Sequence, residues 1–189
     1  MRIRLFLLVA AGLAVASPTF AQCPPQGDGG DAALNQLKNR NTEPASSTPM
    51  TVQQFLQQFP IRQPGADENQ GIVLEGYLLG AKQSGPESAN CHSRTDRDFH
   101  VWIGNDQPGS VAEASAMRAH SVVVEPTPWS QRSHQNWRLQ NFLRLRDQRA
   151  KVRIHGWLMY DPEHPDQICS FSRSGSSFIS TSVYPACVR

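Results

Sequence analysis

What the 189-residue sequence lacks narrows its function early. Cysteine is scarce, at four, and no two cysteines stand as Cys-x-x-Cys, which excludes a zinc ribbon and a thioredoxin-type dithiol. An excess of one charge is missing too. The 18 Lys and Arg include Arg2 and Arg4 of the leading segment, and without those two the balance is 16 against 16 Asp and Glu. Such a balance speaks against a globally basic protein that coats nucleic acid. There is no Gly-x-Ser-x-Gly, no His-Glu-x-x-His, no phosphate-cradling glycine loop and no dinucleotide fingerprint, so no motif names a reaction. At 39% hydrophobic residues in local patterns, the chain is neither fibrous nor wholly disordered.

What is present begins with an export signal. Met1-Arg2-Ile3-Arg4 is a short positive stretch, Leu5 to Ala16 is twelve apolar or small residues, and Thr19 and Ala21 occupy the −3 and −1 positions of a cleavage site. Twelve residues of helix cover about 18 Å, short of a hydrocarbon core of about 30 Å, so a signal fits better than an anchor. The expected product is soluble, monomeric, periplasmic or extracellular, and 168 residues long after cleavage at Ala21. Cys23, Cys91, Cys169 and Cys187 then enter an oxidising compartment with three possible connectivities. The preferred disulfide is Cys169 with Cys187, both in the Ser-rich tail, stabilising by about 3 kcal/mol. A pairing of Cys23 with Cys91 carries little weight.

Residues 22–50 are rich in Pro, Gly, Asn, Ser and Asp and are expected to be a flexible linker. The single domain then occupies 51–189. Thr51-Val52-Gln53-Gln54 forms a capping box, and Val52, Phe55, Leu56 and Phe59 make one apolar stripe, which predicts an N-terminal helix stopped by Pro60. Alternation predicts strands over 71–83, 98–104, 121–125 and 150–160, with Gly76 and Gly80 placed to bend the first. The Ala-rich stretch 111–120 fits a short helix or a loop. A helix is predicted over 133–148 from Leu139, Phe142 and Leu143, with Trp137 and Leu145 beside them. A fifth strand must come from 170–188, where 178–184 is the best stretch. The expectation is therefore a mainly β fold: a small five-stranded OB-like barrel with a helix between strands three and four.

Four short motifs in this layout are Glu87-Ser88-Ala89-Asn90-Cys91, Asp98-Phe99-His100, Glu125-Pro126-Thr127-Pro128, and Gly156-Trp157-Leu158-Met159-Tyr160-Asp161-Pro162-Glu163-His164. In this order the chain resembles, over about residues 51–168, a family of exported bacterial proteins of uncharacterised function. The resemblance implies a small OB-like barrel and no established activity. The family pattern ends in a Trp-Glu-Ile-His-Pro strand, which this chain lacks after Ile168, so its C-terminal strand diverges.

If the barrel forms, Asp98, His100, Trp102, Glu125, Asp161 and His164 gather at the mouth where OB barrels bind ligands. Within that set, His100, Glu125, Asp161 and His164 have the donors a divalent metal needs, and an open position there could activate water against a phosphoester. Each residue also has a plain structural reading: His100 as a half-buried strand residue, Glu125 as a strand end, Asp161 to His164 as a polar turn. A second candidate is a basic run, Arg132, Arg138, Arg144, Arg146, Arg149, Lys151 and Arg153 against Asp147 alone, with Tyr77, Trp102 and Trp157 as stacking surfaces for a single strand. A run of this kind is usually a solvated helix face, so it gives no strong nucleic-acid signal. The expected function is ligand binding without catalysis and without a required cofactor. A metal-dependent hydrolase and a single-stranded nucleic-acid-binding module are the alternatives.

Overall fold

The computed structural model describes residues 23–59 and 68–159, together with the backbone of Cys169–Ser170, Ser182–Val183 and Cys187–Val188. The expected signal segment, Asp161 and His164 lie outside the described residues, as do the side chains of Cys169 and Cys187. The elements run in the order α1 (Ala32–Lys38), β1 (Ser47–Thr51), α2 (Val52–Gln58), β2 (Gly71–Gln83), β3 (Phe99–Gly104), α3 (Val111–Met117), β4 (Val122–Val124), α4 (Pro128–Ser133), α5 (Leu139–Asp147) and β5 (Lys151–Met159). Three two-residue strands follow, β6 (Cys169–Ser170), β7 (Ser182–Val183) and β8 (Cys187–Val188).

A curled mixed sheet dominates. Its order is β1-β2-β3-β4-β8-β5, and β5 pairs also with β2. The length of β2 makes this possible. Residues 71–77 pair antiparallel with β5, residues 77–83 pair antiparallel with β3, and the register shifts between Leu78 and Gly80. Gly76 sits where the strand bends inward: a Cβ there would meet the Gly104 carbonyl oxygen at 2.5 Å and Val52 Cγ2 at 2.8 Å. β8 joins β4 in parallel and β5 antiparallel, through Val188 opposite both Val124 and Leu158. Of the stretch 178–184, the described part is β7, which pairs with β6 apart from the main sheet.

The apolar groups predicted by alternation fill the inside of the curl. Ile72, Leu74, Leu78, Phe99, Val101, Ile103, Val122, Val124 and Leu158 form one cluster with Met50, Val52 and Phe55. Full burial of each such Leu, Ile or Phe contributes about 1.5–3 kcal/mol. α2 has its capping box: Thr51 Oγ1 accepts from the Gln54 amide, and Gln54 Oε1 accepts from the Thr51 amide at 2.8 Å. Leu139, Phe142 and Leu145 of α5 lean on the same core, Phe142 edge-on to Phe99.

One helix differs from expectation, and the open reading of 111–120 resolves. The helix over 133–148 is shorter and interrupted: α4 ends at Ser133, and α5 starts only at Leu139. Between them His134 stacks on Trp137 at 3.9 Å, and the Trp137 amide donates to the His134 carbonyl oxygen in a turn. Among 111–120, the first seven residues are helical and the last three form a 3-10 turn.

The larger correction concerns residues 22–50. From Cys23 onward they are docked on the domain rather than separate from it, because polar side chains do what apolar ones usually do. Cys23 is disulfide-bonded to Cys91, with Cα atoms 5.7 Å apart. Asn39 Nδ2 donates to the carbonyl oxygens of Pro25 and Ala89, the latter at 2.8 Å, and Ser88 Oγ donates to Asn35 Oδ1. Lys38 Nζ lies 3.6 Å from Glu87 Oε2, with none of its side chain exposed. Leu34 packs with Met159, and β1 adds in parallel to β2 from Ser47 opposite Gly71. With Cys23 and Cys91 joined, Cys169 and Cys187 have only each other left as intrachain partners.

Candidate functional site

β3 has two faces. Phe99, Val101 and Ile103 enter the core, while His100 and Trp102 point to the opposite side. Strand register builds two rows across that outer face. In one row Lys82 of β2 stands opposite His100, and Glu125 follows β4 on the far side. In the other, Gly80 stands opposite Trp102, and Trp102 opposite Val123.

The first row carries the polar chemistry. His100 and Glu125 are buried, at 2% and 1% relative exposure, although neither belongs to the apolar core. His100 Nε2 lies 3.8 Å from Glu125 Oε1. The backbone just after Glu125 is held in place. The Phe99 amide donates to the Pro126 carbonyl oxygen, and Gln131 Nε2 of α4 donates to the same oxygen at 2.8 Å. An imidazole beside a carboxylate can share a proton with it, meet a ligand's hydroxyl with either partner, or offer two donors to a cation. Asp98 is fully buried and has an architectural partner, since Asn90 Nδ2 donates to its Oδ1 at 2.6 Å.

The second row carries an aromatic plane. Trp102 is half-buried, and the Arg118 guanidinium lies over it with Cζ 4.6 Å from the ring centroid. Lys82 Nζ is 5.8 Å from the same centroid. Arg118 reaches this seat because Gly80 has no side chain: a Cβ on Gly80 would meet Arg118 Nη2 at 2.1 Å. Sequence reasoning found His100, Trp102 and Glu125, read Gly80 only as a bend in the strand, and missed Lys82 and Arg118. The signal for Lys82 was available, two residues along the strand from a glycine; Arg118 follows a helix and had none.

Asp161 and His164, expected at this mouth, lie outside the described residues. Among the described residues no group of three or more His, Cys, Asp and Glu could hold a metal ion. The structure thus brings together His100 and Glu125 of the four-residue metal set.

The basic run does not form one surface for a strand. Arg132 meets Asp96 and lies over Trp129, Arg146 meets Asp147, and Lys151 and Arg153 bracket Glu75 on the paired strands β5 and β2. Trp157 is tied down, its Nε1 donating to the Thr42 carbonyl oxygen while Arg40 lies over its ring. Trp102 is the expected stacking residue that also borders the His100 row. On the β5 side, Ser47 Oγ hydrogen-bonds His155 Nε2, and His155 Nδ1 lies 3.8 Å from Glu43, which is 77% exposed. This contact reaches across β2, which lies between β1 and β5.

Among the described residues no helix is long and apolar enough to cross a membrane. Comparison of the chain with protein-family models, curated proteins and solved structures finds no match.

Proposed function

We propose that this chain is an exported OB-type β-barrel protein that binds a ligand on the outer face of β3 and β4, through His100, Glu125 and Trp102, without transforming it. The observation that carries this reading is the buried His100–Glu125 pair, 3.8 Å apart on the side of the sheet turned away from the core. Desolvating a carboxylate and an imidazole costs several kcal/mol, and well-packed apolar residues of like volume would serve the fold as well or better. An imidazole and a carboxylate side by side offer the donor and acceptor that a ligand's hydroxyls need. Support for the OB-type topology comes from the pairing order, in which β2 meets both β3 and β5 while β8 joins β4 to β5, and from the four motifs that resemble an exported OB-like family. In that fold the equivalent face is the usual binding surface. The disulfide is compatible with export.

The test is a panel of neutral oligosaccharides, nucleotides and short single strands, followed by tryptophan fluorescence and melting temperature. A ligand of this face loses about tenfold or more in affinity on His100→Gln, as expected for a hydrogen bond to a charged partner. It also loses its fluorescence response on Trp102→Phe. A ligand whose affinity and signal survive both changes binds elsewhere and sinks the proposal.

One observation favours a second reading, a metal-dependent hydrolase: the same pair supplies two donors of a possible metal set. Zinc- or manganese-dependent cleavage of a phosphodiester, abolished by Glu125→Gln, would replace binding with catalysis.

A further inference from the structure

We infer that Arg118, seated flat between Trp102 and the Gly80 backbone, is an anion receptor, and that the ligand of this face carries a phosphate group. The inference rests on the reading of the β3–β4 outer face as the ligand face and names the chemistry of what binds there.

The basis is how Arg118 is held. A surface arginine usually lies in solvent or against a carboxylate. Here the guanidinium is half-buried and stacked on an indole, and it occupies the space a Cβ would fill at Gly80. Its Nε is buried without a hydrogen-bond partner among the described residues, and none of the described carboxylates forms an ion pair with it. The charges around it are of its own sign. Lys82 approaches the same ring. Burial first, and then the charge of Arg146, pull the Arg118 guanidinium below its ordinary pKa. Arg146 meets a carboxylate, the neighbouring Asp147.

Cations gathered this way repel one another, and desolvation makes that worse. An anion relieves both costs. Stacking fixes the guanidinium plane, so its N–H fork is already oriented and loses little freedom on binding, the arrangement that suits a phosphate's paired oxygens. The sugar or base attached to that phosphate then falls toward the row of Lys82, His100 and Glu125, where neutral hydroxyls find partners.

The experiment uses the mature full chain at constant ionic strength. The Arg118 Nε–H cross-peak and the tryptophan fluorescence are followed as inorganic phosphate, thymidine 5′-monophosphate, a ten-nucleotide oligothymidine and neutral maltotriose are added. Phosphate-bearing probes should move the cross-peak, and Arg118→Gln should weaken them by about tenfold or more. Gly80→Ala is the gentler variant. It evicts the far end of a flexible side chain, so it should weaken the same probes while the melting temperature holds. Similar affinities for the monophosphate and the oligomer point to a small phosphorylated ligand, and a much tighter oligomer points to a strand; both uphold the inference. Phosphate affinity unchanged in both variants overturns it. So does maltotriose binding that depends on Trp102 without any response to phosphate, an outcome that leaves the ligand face standing. If no probe, neutral or charged, perturbs the protein at all, the ligand face falls with it.

Discussion

Two regions of this molecule bury polar side chains, and they do so for different reasons. In the docked N-terminal segment, Asn35, Lys38 and Asn39 turn toward the loop that carries Glu87 to Cys91 and meet groups that the fold itself must satisfy. On the outer face of β3 and β4, His100 and Glu125 are equally buried, and they face each other across neighbouring strands at 3.8 Å. The contrast divides the motifs of the sequence. Glu87-Ser88-Ala89-Asn90-Cys91 is architectural: its residues contact Lys38, Asn35, Asn39, Asp98 and Cys23. His100 and Glu125 pair across the sheet, and their role in recognition is our proposal. A residue pattern can be equally specific in both regions and anchor the chain in one while serving, as we propose, recognition in the other.

The sharpest way to break this comparison is to change one charge in each region. Lys38→Met removes the cation from a buried pair and leaves Glu87 facing a thioether. Breaking such a pair costs about 3–5 kcal/mol, so urea unfolding should lose that much, with hydrogen exchange rising first across residues 32–40. A loss below about 1 kcal/mol would mean that the segment is held by its disulfide alone, and the architectural reading of the motif would weaken.

The apolar replacement of the other pair should behave differently. His100→Leu with Glu125→Leu removes both partners and keeps roughly their volume. Equilibrium unfolding should then change by no more than about 1 kcal/mol, or rise, while ligand binding is lost. A loss of about 3 kcal/mol or more would put His100 and Glu125 in the same class as Lys38 and dissolve the distinction.

The sequence made part of this visible and hid the rest for identifiable reasons. Period-two alternation in 71–83 and 98–104 located β2 and β3 and separated His100 and Trp102 from the core residues between them. The capping box at Thr51 and Gln54 placed the start of α2. The segment from Cys23 to Asn39 was misread because apolar periodicity is the signal being sought, and that segment docks mainly through amides and an ammonium group. The break between α4 and α5 was invisible because His134 and Trp137, three apart, fit a helical pattern equally well. Arg118 escaped notice because its meaning depends on a missing Cβ on a distant strand. In each case the hidden feature is a contact between residues far apart in the chain or a local ring contact, neither of which leaves a period.

The smallest expected effect concerns the joint between α5 and β5. Arg149 has φ +52°, a left-handed conformation in a residue with a Cβ, just past the C-cap Gln148. Its amide donates to the Arg146 carbonyl oxygen at 2.8 Å, and the Ala150 amide to that of Leu145, which closes the helix and turns the chain into β5. Glycine takes this conformation without the roughly 1 kcal/mol that an L side chain costs there. Arg149→Gly also loses the weak bond from Arg149 Nη1 to the Gly109 carbonyl oxygen, at 3.3 Å on the exposed surface. The net gain in unfolding free energy should therefore be about 0.5 kcal/mol. It should leave phosphate affinity where it was, because Arg149 takes no part in the Trp102 row. A fall in phosphate affinity with no change in stability would instead move the anion site toward the basic run, and the separation between a structural arginine set and a recognising one would need to be redrawn.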